Sequence, residues 1–205
     1  MPQVTIIDLI AAAQAGTAVI SFPTDTVPAL ASRPDRADLI FATKQRDRGK
    51  PLILMGASPA DLWPYVQGGS AEQQLWEQVA AQYWPGPLTL VLPASSLVPA
   101  AMNPTDPTTI GIRVPHHELA RQILAGTGPL ATTSANRSGQ PALETMAEIA
   151  AQFPQVLTPL EGELMPADRA SGVPSTVVRW TGTGWEILRS GVIRTEELPY
   201  FQRNS

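Results

Sequence analysis

Cysteine is absent from this 205-residue chain, and histidine occurs only as the adjacent pair His116 and His117. Without thiols there is no disulfide, no thiolate metal site and no cysteine nucleophile, and two imidazoles do not make a zinc cluster. No resident metal centre is expected. Charge is sparse as well: 16% of residues are charged, 14 basic against 18 acidic, for a formal net charge of −4. That balance speaks against a protein whose main task is to grip a nucleic-acid backbone through a broad basic face. No apolar run approaches the roughly 20 residues that cross a bilayer. The opening MPQVTIIDLI has neither the basic region nor the long apolar segment of a secretory signal. The expectation is a protein that is neither exported nor membrane-embedded, with the cytoplasm as its default location. Repeats, long linkers and low-complexity tracts are also missing, which favours a single domain over residues 1–205.

What is present alternates. Thr5 can cap a helix over 6–15, where Ile6, Leu9, Ile10 and Ala13 form an apolar stripe that Gly16 ends. TAVISF is a short β-branched run, a helix is predicted over 36–44, and PLILM follows as a buried strand. Ser70 is expected to cap a helix reaching Trp84, with Leu75, Trp76 and Val79 at helical spacing; LTLVLP then begins a strand after PGP. TTIGIRV is another strand, 118–125 a helix started by His116 and His117, and PLATT a strand. Thr145 caps a last helix through Phe153. STVVRW and WEILR read as a hairpin around the turn TGTG, which no helix follows and which is therefore no dinucleotide fingerprint. Trp63, Trp76 and Trp84 are expected in the core or at its rim. Together the elements predict an α/β fold: one mixed, twisted sheet with packed helices.

In such sheets ligands gather where loops leave the strand ends. Four polar loops do so here: PTDT after Phe22, RVPHH after Ile112, TTSANRSG after Ala131 and VPST before Val177. The third places short hydroxyls and an amide directly after a buried strand, so that donors can converge on an anion without filling the space it needs. KQRDRGK adds a local cation cluster of Lys44, Arg46, Arg48 and Lys50.

Seven segments, SFPTDTVPAL, KQRDRGKPL, WPGPLTLVLP, TTIGIRVP, PLATTSANRSG, GVPSTVV and ILRSG, spread over residues 21–191. Their order and spacing resemble the threonylcarbamoyl-AMP synthase family, the YrdC/Sua5/TsaC group, in its short single-domain form, with 192–205 as a C-terminal tail. The resemblance implies a YrdC-like fold and a nucleotidyltransferase that joins L-threonine, bicarbonate or CO2, and ATP. The product is L-threonylcarbamoyladenylate, which feeds the t6A modification of tRNA, and pyrophosphate is released. By the same resemblance, Lys44 and Arg46 meet the phosphates as the catalytic pair. Lys50, Thr109, Asn136, Thr145 and Arg189 complete the ATP side, and Thr26, Arg113, Ser134 and Ser175 hold threonine. Magnesium would come with ATP and not from a protein metal site; Asp25 is a lone carboxylate that could approach it. Further implied partners are tRNA, weakly, and the transferase proteins of the t6A pathway.

Such chemistry needs two reactants held in line and negative charge neutralised, not a protein nucleophile, which suits a chain without a Ser-His-Asp set or a thiol. Arg113 suits the carboxylate because its planar fork can bind both oxygens. Three positions depart from the family pattern: Pro28 and Ala29 stand where a tyrosine and a glycine are usual, and Met55 where many members have histidine. The nucleotide contact beyond the SAN motif falls on Glu144 or Thr145, depending on one residue of register. Two alternatives therefore stay open: a related enzyme that adenylates another carbamate, and an RNA-binding module of the same fold.

Overall fold

The computed structural model describes residues 3–165, 171–194 and 201–202. In chain order the elements are β1 (Gln3–Val4), α1 (Ile6–Ala15), β2 (Ile20–Phe22), β3 (Ala29–Ser32), α2 (Ala37–Lys44), β4 (Ile53–Met55), α3 (Pro59–Leu62), α4 (Ser70–Tyr83), β5 (Leu88–Pro93), β6 (Thr109–Arg113), α5 (Glu118–Thr127), β7 (Leu130–Ser134), α6 (Met146–Gln152), β8 (Thr158–Pro159), β9 (Thr176–Trp180), β10 (Trp185–Arg189) and β11 (Phe201–Gln202). Nine strands make one sheet, ordered β11-β10-β9-β5-β6-β4-β7-β3-β2, and β1 pairs with β8 apart from it. The sheet is mixed, as expected: β11/β10, β9/β5 and β6/β4 are parallel and the other neighbours antiparallel.

Side chains alternate across a strand, so each strand serves two faces. Leu30, Leu54, Leu90, Ile110, Ile112, Ala131 and Val178 turn to one face, which α2, α4 and α6 cover through Ile40, Phe41, Trp76, Val79, Ile149 and Phe153. The other face is covered only in part. There α1 and α5 pack Leu9, Ala13, Leu119, Ile123 and Leu124 on Ala29, Ala31, Met55 and Leu130, at the β2–β3–β7–β4 end. Beyond that end, the face over β6, β5 and β9 is left open, and a cleft lies on it.

Local chemistry explains most element ends. Thr5 Oγ1 accepts from Asp8 N at 3.1 Å to start α1, and Gly16, at φ 66°, ends it. His117 Nδ1 accepts from Ala120 N at 3.3 Å, the capping role expected of this pair, while His116 is exposed. Trp76 and Trp84 are buried and Trp63 stacks on Trp84 with ring centroids 5.9 Å apart.

Several expectations are corrected. β3 was not anticipated, because ALAS lacks the β-branched residues that mark a strand and owes its conformation to pairing between β2 and β7. The predicted 36–44 helix begins with a 3-10 turn, Pro34–Arg36, before α2. Ser70 is not the cap of α4: Gly69 is, with Glu72 Oε2 accepting from its N–H at 2.9 Å. Leu75 is 46% exposed and points away from the core. Of the expected C-terminal tail, Ile193 packs into the core and Phe201–Gln202 adds a strand beside β10; residues 195–200 and 203–205 lie outside the described residues.

Candidate functional site

The open half of the second sheet face forms a cleft of about 770 Å³. Its floor is a row of strand residues, among them Ile53, Thr89, Val91, Gly111, Arg113, Thr132 and Val177, and its rim is built by the loops after β2 and β7 and before β9. Among the described residues, Arg46, Arg113, Arg179 and Arg189 line it together with one carboxylate, Asp106. An acidic protein thus concentrates cations in one hollow, where low-dielectric walls strengthen their field.

Arg113 is the buried centre of this arrangement, with 2% of its surface exposed. Its Nε donates to Gly86 O at 3.0 Å, its Nη1 to Thr26 Oγ1 at 2.8 Å and its Nη2 to Asp25 Oδ1 at 2.6 Å. These use three of its five N–H groups and leave two. Burial pulls the guanidinium below its ordinary value while Asp25 opposes the shift; it stays charged, because an arginine is not deprotonated in a protein. Gly86 is glycine for packing reasons, since a Cβ there would lie 2.3 Å from Tyr83 O. The WPGP segment therefore brings a carbonyl to Arg113 that no larger residue would allow. Asp25, considered from sequence only as an approach to magnesium, is instead the ion-pair partner of Arg113.

Thr26 is buried and accepts from Arg113, and Ser171 Oγ and Gly172 N donate to its carbonyl at 3.2 and 2.9 Å, which ties the β2–β3 loop to the segment before β9. Ser175 Oγ lies 2.9 Å from Thr89 Oγ1 and accepts from Arg189 Nη2 at 3.1 Å; Arg189 also donates to Ser175 O. At the other end of β6, Thr109 Oγ1 accepts from Asn103 Nδ2 at 3.1 Å and donates to Asp106 Oδ2 at 3.2 Å. Thr109 and Arg113 are about 13 Å apart along one strand face, so both serve one cleft. Thr89, Asn103, Asp106 and Arg179 were missed by sequence reasoning; for Thr89, the period-two alternation of LTLVLP against TTIGIRV was the available signal.

The cation cluster divides. Gln45, at φ 49°, closes α2 in the left-handed region, and the turn it makes directs Arg46 to the cleft, where Arg46 donates to Lys50 O and Pro51 O at 3.1 Å each. Neither Arg46 nor Arg189 is in an ion pair among the described residues. Lys50 is exposed and outside the cleft lining. Lys44 is outside it too. Its buried ammonium sits at the end of β7, donating to Ser134 O at 2.6 Å, Asn136 Oδ1 at 2.9 Å, Thr133 Oγ1 at 3.2 Å and Ser134 Oγ at 3.3 Å. Burial, and then the nearby Arg46 and Lys50, push it down to about 7. Ser134 lines the cleft and donates to Asn136 Oδ1 at 2.7 Å, while Asn136 is turned inward to Lys44 and donates to Gln140 O.

Thr145 is not brought to the cleft. Its hydroxyl accepts from Glu148 N at 3.2 Å and donates to Glu148 Oε2 at 2.9 Å, a capping box for α6. Glu144 comes nearer, with Oε1 3.5 Å from the Cβ position of the cleft-lining Gly172.

A family model for Sua5/YciO/YrdC proteins, described as "Telomere recombination", matches residues 12–191. The chain belongs to this family. It is 35% identical over 163 residues to a threonylcarbamoyl-AMP synthase of Chromohalobacter salexigens, covering 78% of this chain and 85% of that protein. It is 38% identical over 150 residues to one of Vibrio cholerae, covering 71% and 79%. Among solved structures, the Sua5 protein of Pyrococcus abyssi complexed with L-threonine superposes with a TM-score of 0.82 at 28% identity, over 98% of this chain. This family member spans about 60% of the length of that Sua5 protein. Among its described residues no helix is long and apolar enough to cross a membrane.

Proposed function

We propose that this family member is a threonylcarbamoyl-AMP synthase, a nucleotidyltransferase acting in the cytoplasm on L-threonine, bicarbonate or CO2, and ATP, in the service of tRNA t6A modification. The carrying observation is the cleft itself: guanidiniums at Arg46, Arg113 and Arg189, with hydroxyls between them, on one open sheet face. A carboxylate and a polyphosphate are the ligand chemistries such a floor suits. The relatives of that name and the threonine complex of the Pyrococcus protein support the choice of substrates.

In this reading the threonine amine attacks CO2, forming an N–C bond and losing a proton. A carbamate oxygen then attacks the α-phosphorus, and the bond to the β-phosphate oxygen breaks to release pyrophosphate. The two free N–H groups of Arg113 face the amino-acid carboxylate, with Thr26, Ser134 and Ser175 around it. Arg46 and Arg189 neutralise charge on the leaving pyrophosphate, with Thr109 on the same cleft face, while Lys50 and Asn136 lie outside the cleft lining. Lys44 acts through the loop it holds, as a positioning residue. Magnesium is read as arriving on the nucleotide phosphates, a usual mode for this ion. Weak contact with tRNA and with t6A-pathway transferases belongs to the same proposal.

Pro28, Ala29 and Met55 all line the cleft, so the amino acid is the point to test. The protein is incubated with MgATP, bicarbonate and each common amino acid in turn, and pyrophosphate and acyl-adenylate are measured. Product with threonine alone is expected. Product with another amine or carbamate instead selects the related carbamoyl-adenylating enzyme; steeply salt-dependent tRNA binding without ATP, and no product, selects the RNA-binding module.

A further inference from the structure

Gly111 is the middle residue of β6, a strand paired on both edges, between β5 and β4. Glycine is a poor residue there, since it loses the most backbone freedom on folding and packs nothing. Two ordinary reasons for it fail. Its backbone is not left-handed, unlike that of Gly16, Gly128, Gly139, Gly172 and Gly182. Nor is it crowded: a Cβ would lie 3.4 Å from Thr89 Cγ2, 3.5 Å from Ile53 Cγ1 and 3.8 Å from Val91 Cγ2, all ordinary contacts. At Gly86 and Gly191, by contrast, a Cβ would come within 2.3 Å of a backbone oxygen. What remains is the direction it faces. Ile110 and Ile112 turn into the helix-covered core, so Gly111 turns to the cleft and forms its floor.

We infer that Gly111 is a specificity-determining residue: its missing side chain lets a flat, conjugated group of the substrate lie on the backbone of β6 between Thr109 and Arg113. The three atoms nearest to it, Thr89 Cγ2, Ile53 Cγ1 and Val91 Cγ2, are carbon, so the patch suits a planar face better than phosphate oxygens. Two parts of the proposed substrates have that chemistry, the purine base and the carbamoyl plane. A methyl at this point would lift the group by about 1.5 Å, one carbon–carbon bond. A gap well under that already forfeits about a quarter to a half of a dispersion contact. The inference rests on the synthase reading for the identity of the substrates, and on the strand geometry for the contact.

The test compares Gly111→Ala with the wild type by thermal unfolding, calorimetric titration with ATP and with threonine, and pyrophosphate release. The expected result is a Tm within about 3 °C of wild type together with one of two losses. Roughly tenfold or more in ATP affinity identifies the base as occupant; roughly tenfold or more in turnover, with both affinities kept, identifies the carbamoyl plane. Wild-type binding and turnover in a folded variant overturn the inference, and so does a Tm loss beyond about 8 °C, which would make packing the reason for the glycine. A wild type that binds ATP but releases no pyrophosphate with threonine defeats the synthase reading alone, since the ATP comparison then still decides Gly111. A wild type that binds neither ligand defeats both.

Discussion

Replacing Lys44 by methionine should remove a pH dependence of stability that the native protein has. Unfolded, the lysine titrates at its ordinary value of 10.5; folded, at about 7, because its ammonium is buried with Arg46 and Lys50 nearby and only neutral oxygens of Thr133, Ser134 and Asn136 around it. Below pH 7 both states are protonated and the fold bears the full cost of a buried cation. Between pH 7 and 10.5 the unfolded chain holds a proton that the folded chain releases, so stability rises with pH in that window. The slope is about 0.7 kcal/mol per pH unit at pH 7 and approaches about 1.4 above it, which integrates to about 2 kcal/mol between pH 7 and 9. Methionine has a similar volume and no charge, so its stability should be flat over the same range, offset by about 1–3 kcal/mol for the acceptors it leaves unpaired. Urea unfolding of both proteins at pH 6, 7, 8 and 9 measures this. An equal slope in the variant, or no rise in the wild type, refutes the assignment.

Arg113→Lys keeps the charge, but its single nitrogen cannot take the three separate positions from which Nε, Nη1 and Nη2 reach Gly86 O, Thr26 Oγ1 and Asp25. We expect a stability loss of about 2–3 kcal/mol by chemical denaturation and a fall of about 10- to 150-fold in threonine affinity, with ATP affinity barely moved. Loss of ATP binding with normal threonine binding would reverse the division of the cleft. Asn136→Ala takes an acceptor from Lys44, which matters most while that group is charged, so it should destabilise more at pH 6 than at pH 9, by about 1–2 kcal/mol at the lower pH, and weaken ATP binding more than threonine binding. Thr145→Ala should cost about 1 kcal/mol through the lost cap of α6 and leave ATP affinity unchanged by titration; a selective loss of ATP binding would restore Thr145 to the nucleotide site.

What could be read along the chain was local or periodic. Thr5, His117 and Thr145 sit three residues before the groups they cap, and the alternation in LTLVLP and TTIGIRV reveals a strand with two faces whatever packs on it. The order and spacing of seven short segments were enough to assign the family, because they are properties of the chain and not of its path. β3 escaped notice for the opposite reason: ALAS becomes a strand only because β2 and β7 lie on either side of it. The division of Lys44 from Arg46, two residues apart, was equally invisible, since the left-handed turn at Gln45 sends one behind β7 and the other to the cleft. Nor could the fork of Arg113 be assigned without the fold, which brings Asp25, Thr26 and Gly86 to it from 88, 87 and 27 residues away. The sequence by itself determined most of the elements, the mixed sheet and the residue types available for anion binding, because those follow from spacing and propensity. Which cations line the cleft and which are buried behind the β7 loop was decided by tertiary structure alone, because charge compensation and burial depend on neighbours that only folding brings together.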